Sequence, residues 1–337
     1  MRWSIFAQRW PLVLILLILL NLAVLLLHLM LGERLIPPVE AIRTALSLGS
    51  GEYDFAIRTV RLPRACVGLL AGCGLALSGT ILQGITRNPL ASPGVLGLNA
   101  GAAAAAVAVI VLLPSLPMRM MPFAAFGGAL LAAALIYIFS WRKGKAGVSD
   151  RILLVGIGIS AMAGGIVSYL LTLGEVLRVT QATIWMAGSL YGRTWVHVWP
   201  LLPWVAVLLP VLVLMSRSLD LFQLGENTAI GLGLRLEKMR FLFILIAVAL
   251  AGAAVSMAGT VTFVGLMGPH IARGLVGSRS CRLIPTAALC GALLVLLSDL
   301  AGRLVFQPYE IPVGIVTALI GAPYMLRMLW QRAGAFK

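Results

Sequence analysis

Apolar positions along this chain come in long runs rather than at amphipathic spacing. Trp10 to Leu31 reads WPLVLILLILLNLAVLLLHLML, broken only by Asn21 and His28. Inside hydrocarbon every backbone amide has to be satisfied within its own helix, so a run of about 20 apolar residues predicts a spanning helix. Ten such runs can be drawn, near 11–31, 62–84, 93–113, 120–141, 149–173, 195–216, 239–259, 260–277, 282–306 and 312–331. The seventh and eighth are separated only by the Gly259-Thr260 region, which leaves nine or ten crossings open, and the eighth is short for a full crossing. The first run is too long for a signal peptide and lacks a small-residue cleavage site, so it is read as a mature span. The expected fold class is an all-α polytopic membrane protein forming one domain over residues 1–337.

Composition agrees with that class. Of 337 residues 61% are apolar and 11% charged, with a mean hydropathy of +1.02, which excludes an ordinary soluble domain. The formal charge is +15, yet the runs leave little polar surface for basic stripes, so nucleic acid is not an expected partner. Lys and Arg instead report orientation, because positive loops stay cytoplasmic. With the N-terminus inside, 17 of the 26 fall on the inner side, and an even number of spans returns the C-terminus, with Arg327, Arg332 and Lys337, to the same side. Both termini are therefore expected in the cytoplasm, with 32–61 as an extracytoplasmic segment. Arg34, Arg43, Arg58, Arg61 and Arg64 crowd that outer stretch against the bias, facing either lipid headgroups or Glu33, Glu40, Glu52 and Asp54.

Candidate chemistry is sparse. Gly68, Gly72, Gly74 and Gly79, then Gly101 with its alanines, predict close helix packing, and Pro-Gly breaks at Asn88-Pro89, Ser92-Pro93-Gly94, Gly268-Pro269 and Pro312-Val313-Gly314 are compatible with a pathway. Asp299 is the one ionisable group noted within the spans, near the outer end of the ninth, so the buried acids of an ion-coupled secondary transporter, the rival class, are missing. No phosphate-binding loop occurs, so ATP would have to act on another chain. Cys66, Cys73, Cys281 and Cys290 lack metal spacing, and His270 has neither His28 nor His197 as a companion, so no metal is expected on this chain. Met118, Met120 and Met121 are read as packing at a span boundary. The stretch 217–238, RSLDLFQLGENTAIGLGLRLEK, fits two short amphipathic helices, lying either against a soluble partner or in the lipid interface.

The ordered motifs resemble a known family, the FecCD-type permease subunits of type II ABC importers for iron-siderophore complexes, haem and cobalamin. They are Arg61-Leu62-Pro63-Arg64, Ser78-Gly79 with Gln83-Gly84, Arg87-Asn88-Pro89-Leu90-Ala91-Ser92-Pro93, and Gly188-Ser189-Leu190 with Trp195. Leu224-Gly225-Glu226, Phe263-Val264-Gly265-Leu266, Pro269-His270-Ile271-Ala272-Arg273, Glu310-Ile311-Pro312-Val313-Gly314 and Gly321-Ala322-Pro323 continue the series. Such a resemblance implies ten spans in inverted-repeat-like halves, in a bacterial cytoplasmic (inner) membrane. It implies a second permease subunit, identical or related, two ATPase subunits carrying ATP and Mg, and an extracytoplasmic substrate-binding protein. The cargo implied is a ferric siderophore, with cobalamin or haem as alternatives, and no catalytic residue on this chain.

Laid on matching positions, the resemblance gives Arg61, Arg64 and Arg303 to docking of the binding protein, where guanidinium forks suit carboxylates and headgroup contact is the alternative. It gives Asn88, Leu90 and Ser149 to an inner gate, although Asn-Pro is also an ordinary turn former. Leu224, Gly225, Glu226 and Gly231 fall to ATPase coupling within a cytoplasmic loop, 217–238.

Overall fold

The computed structural model describes residues 9–32, 34–49, 51–113, 115–117, 120–140, 148–305 and 309–333. They form α1 (Trp10–Met30), α2 (Pro38–Ala45), a π-helical turn (Phe55–Arg61), α3 (Leu62–Thr86), α4 (Leu98–Leu112), α5 (Met121–Ser140), α6 (Val148–Leu173) and α7 (Val176–Met186). The second half holds α8 (Trp195–Leu214), α9 (Ser216–Gln223), α10 (Glu226–Gly231), α11 (Leu236–Ala258), α12 (Val264–Val276), α13 (Ser280–Leu304) and α14 (Val313–Ala333).

Each of the ten apolar runs is helical over most of its length. Seven helices, α1, α3 with the π-turn, α5, α6, α8, α11 and α13, are long and apolar enough to cross a membrane. Of the other three, α14 has 21 residues, whereas α4 has only 15 and α12 only 13. The reason is local. Asn88-Pro89 and Pro93-Gly94 hold 87–97 out of helix before α4, and Gly259 with a left-handed Phe263 does the same before α12. Both breaks were expected at these positions, but the helices begin at Leu98 and Val264 rather than near 93 and 260, and the hydropathy pattern passed over α7, whose apolar residues are interrupted by Arg178, Thr180, Gln181 and Thr183.

Helix α3 is the axis of the bundle. The most apolar stretch of this segment is 89% buried, against 78% for α11, 72% for α13 and only 22% for α6 and α8, so the last two present most of their surface to lipid or to a partner. Glycines along α3 let neighbouring helices approach its backbone and bury it so completely. A Cβ on Gly72 would overlap the Gly291 carbonyl of α13, and a Cβ on Gly79 would overlap the Gly265 carbonyl of α12. Lipid supplies no hydrophobic drive between helices, so this backbone-to-backbone approach gains dispersion contact instead. Ser78 adds a polar tie by donating to the Ala247 carbonyl of α11 at 2.7 Å.

Three irregular segments meet within the bundle. Ser189 N–H donates to the Ala258 carbonyl at 2.9 Å, and Gly314 N–H donates to the Gly188 carbonyl at 3.1 Å. Thr260 Oγ1 donates to the Met186 carbonyl. Gly188 and Gly259 both take positive φ, and Cβ atoms on Gly259 and Gly314 would strike the carbonyls of Trp185 and Ala187. The ends of α7, α11 and α14 are thus fastened through glycines.

Candidate functional site

Polar chemistry concentrates at the two ends of the bundle. At the end where α1 stops, Arg64 is 6% exposed and Asp299 is 1% exposed. Arg64 Nε donates to Asp299 Oδ2 at 2.8 Å and Nη2 donates to Oδ1 at 2.9 Å, while Nη1 reaches both Glu310 carboxylate oxygens at 2.9 and 3.1 Å. Two carboxylates on one guanidinium use its planar fork almost fully. His28 adds a ring nitrogen 3.8 Å from Asp299.

Arg61 and Arg303 do something different at the same rim. Arg61 Nη1 donates to the carbonyls of Leu29 and Met30, and its Nη2 donates to that of Arg34. Arg303 Nη2 donates to the carbonyls of His28 and Leu31. The last carbonyls of a helix have no intrahelical partner, and cations there also complement the helix dipole. The three arginines expected at the outer rim are therefore brought together and each is largely buried, Arg61 and Arg303 holding the end of α1 to the π-turn and α13, and Arg64 holding α3 to α13 and to the segment before α14.

At the opposite end α9 and α10 form the two short helices expected in 217–238. Gly225 turns between them with φ of 100°. Three separate points join this pair to spanning helices. Leu219 lies where a Cβ on Gly84 of α3 would stand, 2.7 Å away. Asp220 Oδ1 accepts the Ser280 N–H at the start of α13 at 2.8 Å. Glu226 Oε1 accepts from Arg240 Nη2 of α11 at 2.7 Å, and Arg240 is only 2% exposed. On the other face Leu224, Ile230 and Leu232 are exposed, as is Gly231.

The turn after α3 holds Asn88, whose Oδ1 accepts the Leu90 N–H at 2.9 Å, closing an Asx turn. Leu90 packs against the cluster of Leu266, Met325 and Met328, which joins it to α12 and α14. Beneath the turn a cavity of about 330 Å³ lies among Gln83, Arg87, Leu219 and Arg273. There Arg273 donates to Gln83 Oε1 at 2.7 Å, and Gln83 Nε2 donates to the Gly265 carbonyl at 3.3 Å. A second cavity of about 190 Å³ lies between Ser92, Pro93, Asn99, Phe263 and Gly265. Ser149 lies in the first turn of α6, and its side chain lies outside the described residues. His270 meets the Tyr324 ring edge to face at 5.6 Å.

Sequence reasoning missed Arg240, the Gln83–Arg273 pair and the glycine junction. Arg240 was legible as a basic residue entering an apolar run, a placement that asks for a partner. Asp299 stood out as an acid within a span, but its partner 235 positions away was not legible.

A bundle with seven helices long and apolar enough to cross a membrane defines a multi-pass membrane protein. The chain belongs to the FecCD transport family, whose model matches residues 15–331. It is 41% identical over 325 residues to the Fe(3+)-citrate import system permease protein YfmE of Bacillus subtilis (strain 168), covering 96% of both chains. It is 39% identical over 339 residues to the probable siderophore transport system permease protein YfhA of the same organism, covering 98% of both. An inward-facing conformation of a metal-chelate type ABC transporter superposes with a TM-score of 0.82 at 28% identity, over 95% of this chain and 99% of that one. The family is one of ABC-importer permeases, transporters rather than catalytic enzymes, which work with ATPase and other subunits.

Proposed function

We propose that this chain is the permease subunit of an ABC importer in a bacterial cytoplasmic membrane and moves ferric siderophore complexes inward. The relatives named for siderophore and ferric citrate support that cargo over cobalamin or haem. The single observation that carries the mechanism is the fastening of α9 and α10 to α3, α11 and α13 through Leu219, Asp220 and Glu226.

With both termini and 217–238 in the cytoplasm, the exposed Leu224, Gly231 and Leu232 face an ATPase subunit, which holds ATP and Mg. When two such ATPases close, the two-helix segment moves with them. Its three attachments pass that displacement to the axis helix and its neighbours, and the pathway shared with a second permease subunit, identical or related, exchanges between two states. The Asn88–Leu90 turn and Ser149 would gate its cytoplasmic side. At the far end the buried Arg61, Arg64 and Arg303 keep the rim in one shape on which an extracytoplasmic binding protein docks, with Glu310 and Tyr309 at its edge.

The test is reconstitution. The complex that co-purifies with this chain from mildly solubilised membranes, placed in proteoliposomes with the binding protein, should accumulate a ⁵⁵Fe-loaded siderophore only with ATP. Uptake driven by a proton or sodium gradient without ATP would overturn the reading.

A further inference from the structure

A further large cavity lies at the end of the bundle opposite α9 and α10, outside the arginine cluster. It measures about 710 Å³ and is bounded by the last turns of α4 and α11, the first turns of α5 and α8, and α7. That is within the range of about 300–1,000 Å³ typical of pockets for small organic ligands. Its walls are mostly apolar, with Ile110, Phe123, Ile184, Trp185, Val196 and Met257 among them, and Gln181, Arg193 and His197 are among the polar side chains that also line it.

All three retain hydrogen-bonding capacity. Arg193 Nε donates to the Ser189 carbonyl at 3.3 Å, and no carboxylate among the described residues pairs with its guanidinium. Burial without a counter-ion pulls its pKa down to about 10, so it still carries its charge at neutral pH. Gln181 Oε1 is buried without a partner. His197 Nδ1 accepts the Thr194 N–H at 3.2 Å, closing the N-terminus of α8. That bond fixes the neutral tautomer, so the proton sits on Nε2 and is left to donate.

A cationic fork, the His197 Nε2 donor and the Gln181 Oε1 acceptor beside an apolar chamber suit a molecule with an anionic head that carries a hydroxyl and with a hydrocarbon body. Tyr191, the stacked pair Trp195 and Trp199, and Arg193 follow one another at the mouth of α8. Aromatic residues gather at the level of the lipid headgroups, so this edge of the cavity lies where phosphates are found. We propose that the cavity is a binding site for one anionic phospholipid, its phosphate held by Arg193 and His197, a headgroup hydroxyl donating to Gln181 Oε1, and an acyl chain lying between α5, α7 and α8. Binding there pins α7 and α8 together beside the Gly188–Gly259–Gly314 junction, so the lipid adjusts how firmly the fastened helix ends are held. The site depends on the chain lying in a bilayer and not on which cargo it carries.

The experiment uses the delipidated protein in its complex and native mass spectrometry, with phosphatidylglycerol, phosphatidylcholine and inorganic phosphate added in separate arms. Wild type should retain one phosphatidylglycerol in preference to phosphatidylcholine, and Arg193→Gln should lower that preference about fivefold. Ile184→Trp, which fills the chamber while leaving the charge, should also expel the lipid and covers the case of an Arg193 variant that does not fold. Equal retention of the two lipids, or a preference untouched by both substitutions, overturns the proposal. Displacement of phosphatidylglycerol by an equal concentration of inorganic phosphate would overturn it too, because the hydrocarbon chamber would then contribute nothing.

Discussion

Arg64 and Asp299 meet as two forks, with Nε to Oδ2 at 2.8 Å and Nη2 to Oδ1 at 2.9 Å, although 235 positions separate them in the chain. Asp299 comes from the last turns of α13, Arg64 from the first turn of α3, and Glu310 from the segment before α14. One guanidinium therefore ties three elements at the rim.

Breaking a buried ion pair by removing one partner costs about 3–5 kcal/mol, because the remaining charge is stranded. Asp299→Asn leaves Arg64 with Glu310 as its remaining carboxylate, so it should destabilise the protein by less than that full amount, read as a loss of thermal stability in detergent. Arg64→Met combined with Asp299→Leu removes both charges and should recover most of that loss. A double variant no more stable than Asp299→Asn would show that the cluster does not act through charge pairing.

Coupling makes a different demand. Glu226→Gln leaves Arg240 buried, with Glu237 3.9 Å away as its nearest remaining acid. Allosteric coupling typically amounts to about 1–3 kcal/mol, or about 5- to 150-fold, so transport in this variant should fall within that range while the partner ATPase continues to hydrolyse ATP. Measuring both rates in one proteoliposome preparation checks this. Parallel loss of hydrolysis and transport would point to failed assembly instead.

The axis helix predicts a contrast between two glycines. Gly79→Ala pushes a methyl group into the Gly265 carbonyl, and Gly265 has Pro93 on its other side, so α12 cannot withdraw freely. Overpacking of this kind costs about 1–3 kcal/mol. Gly158→Ala on α6 meets nothing within 4 Å and should stay within about 0.5 kcal/mol of wild type, apart from a small gain in helix propensity. Thermal aggregation of the two variants in the same detergent separates these outcomes.

The same comparison explains what was legible in the sequence. Helix positions followed from hydropathy because hydrocarbon accepts backbone only in regular helix, and close packing followed from Gly72 and Gly79. Lengths did not follow. The breaks near 88–94 and 259–260 were legible from proline and glycine, but their extent to 97 and 263 was not, because the residues beyond are largely apolar, and α7 is too polar for a hydropathy average to register. The arginines at the rim were legible as a cluster, but their acceptors are mostly main-chain carbonyls of α1, which carry no sequence signal. The two-helix segment was legible because exposed leucines around a glycine turn are unusual on a loop. Its attachments through Asp220 and Glu226 depended on tertiary placement.

Orientation can be read from a native thiol. Cys281 is exposed and follows Ser280, whose N–H is held by Asp220, so it shares the end of the bundle with α9 and α10. Cys73 and Cys290 are buried and Cys66 is half-buried, which makes Cys281 the most accessible thiol of the four. With both termini in the cytoplasm, a membrane-impermeant maleimide added to intact spheroplasts should leave Cys281 unlabelled, and permeabilisation should allow reaction. Leu48 is exposed at the opposite end, after α2, so Leu48→Cys in a Cys281→Ser background should react before permeabilisation. The reverse pattern at the two positions would invert the bundle, and the two-helix segment would then face away from any cytoplasmic ATPase.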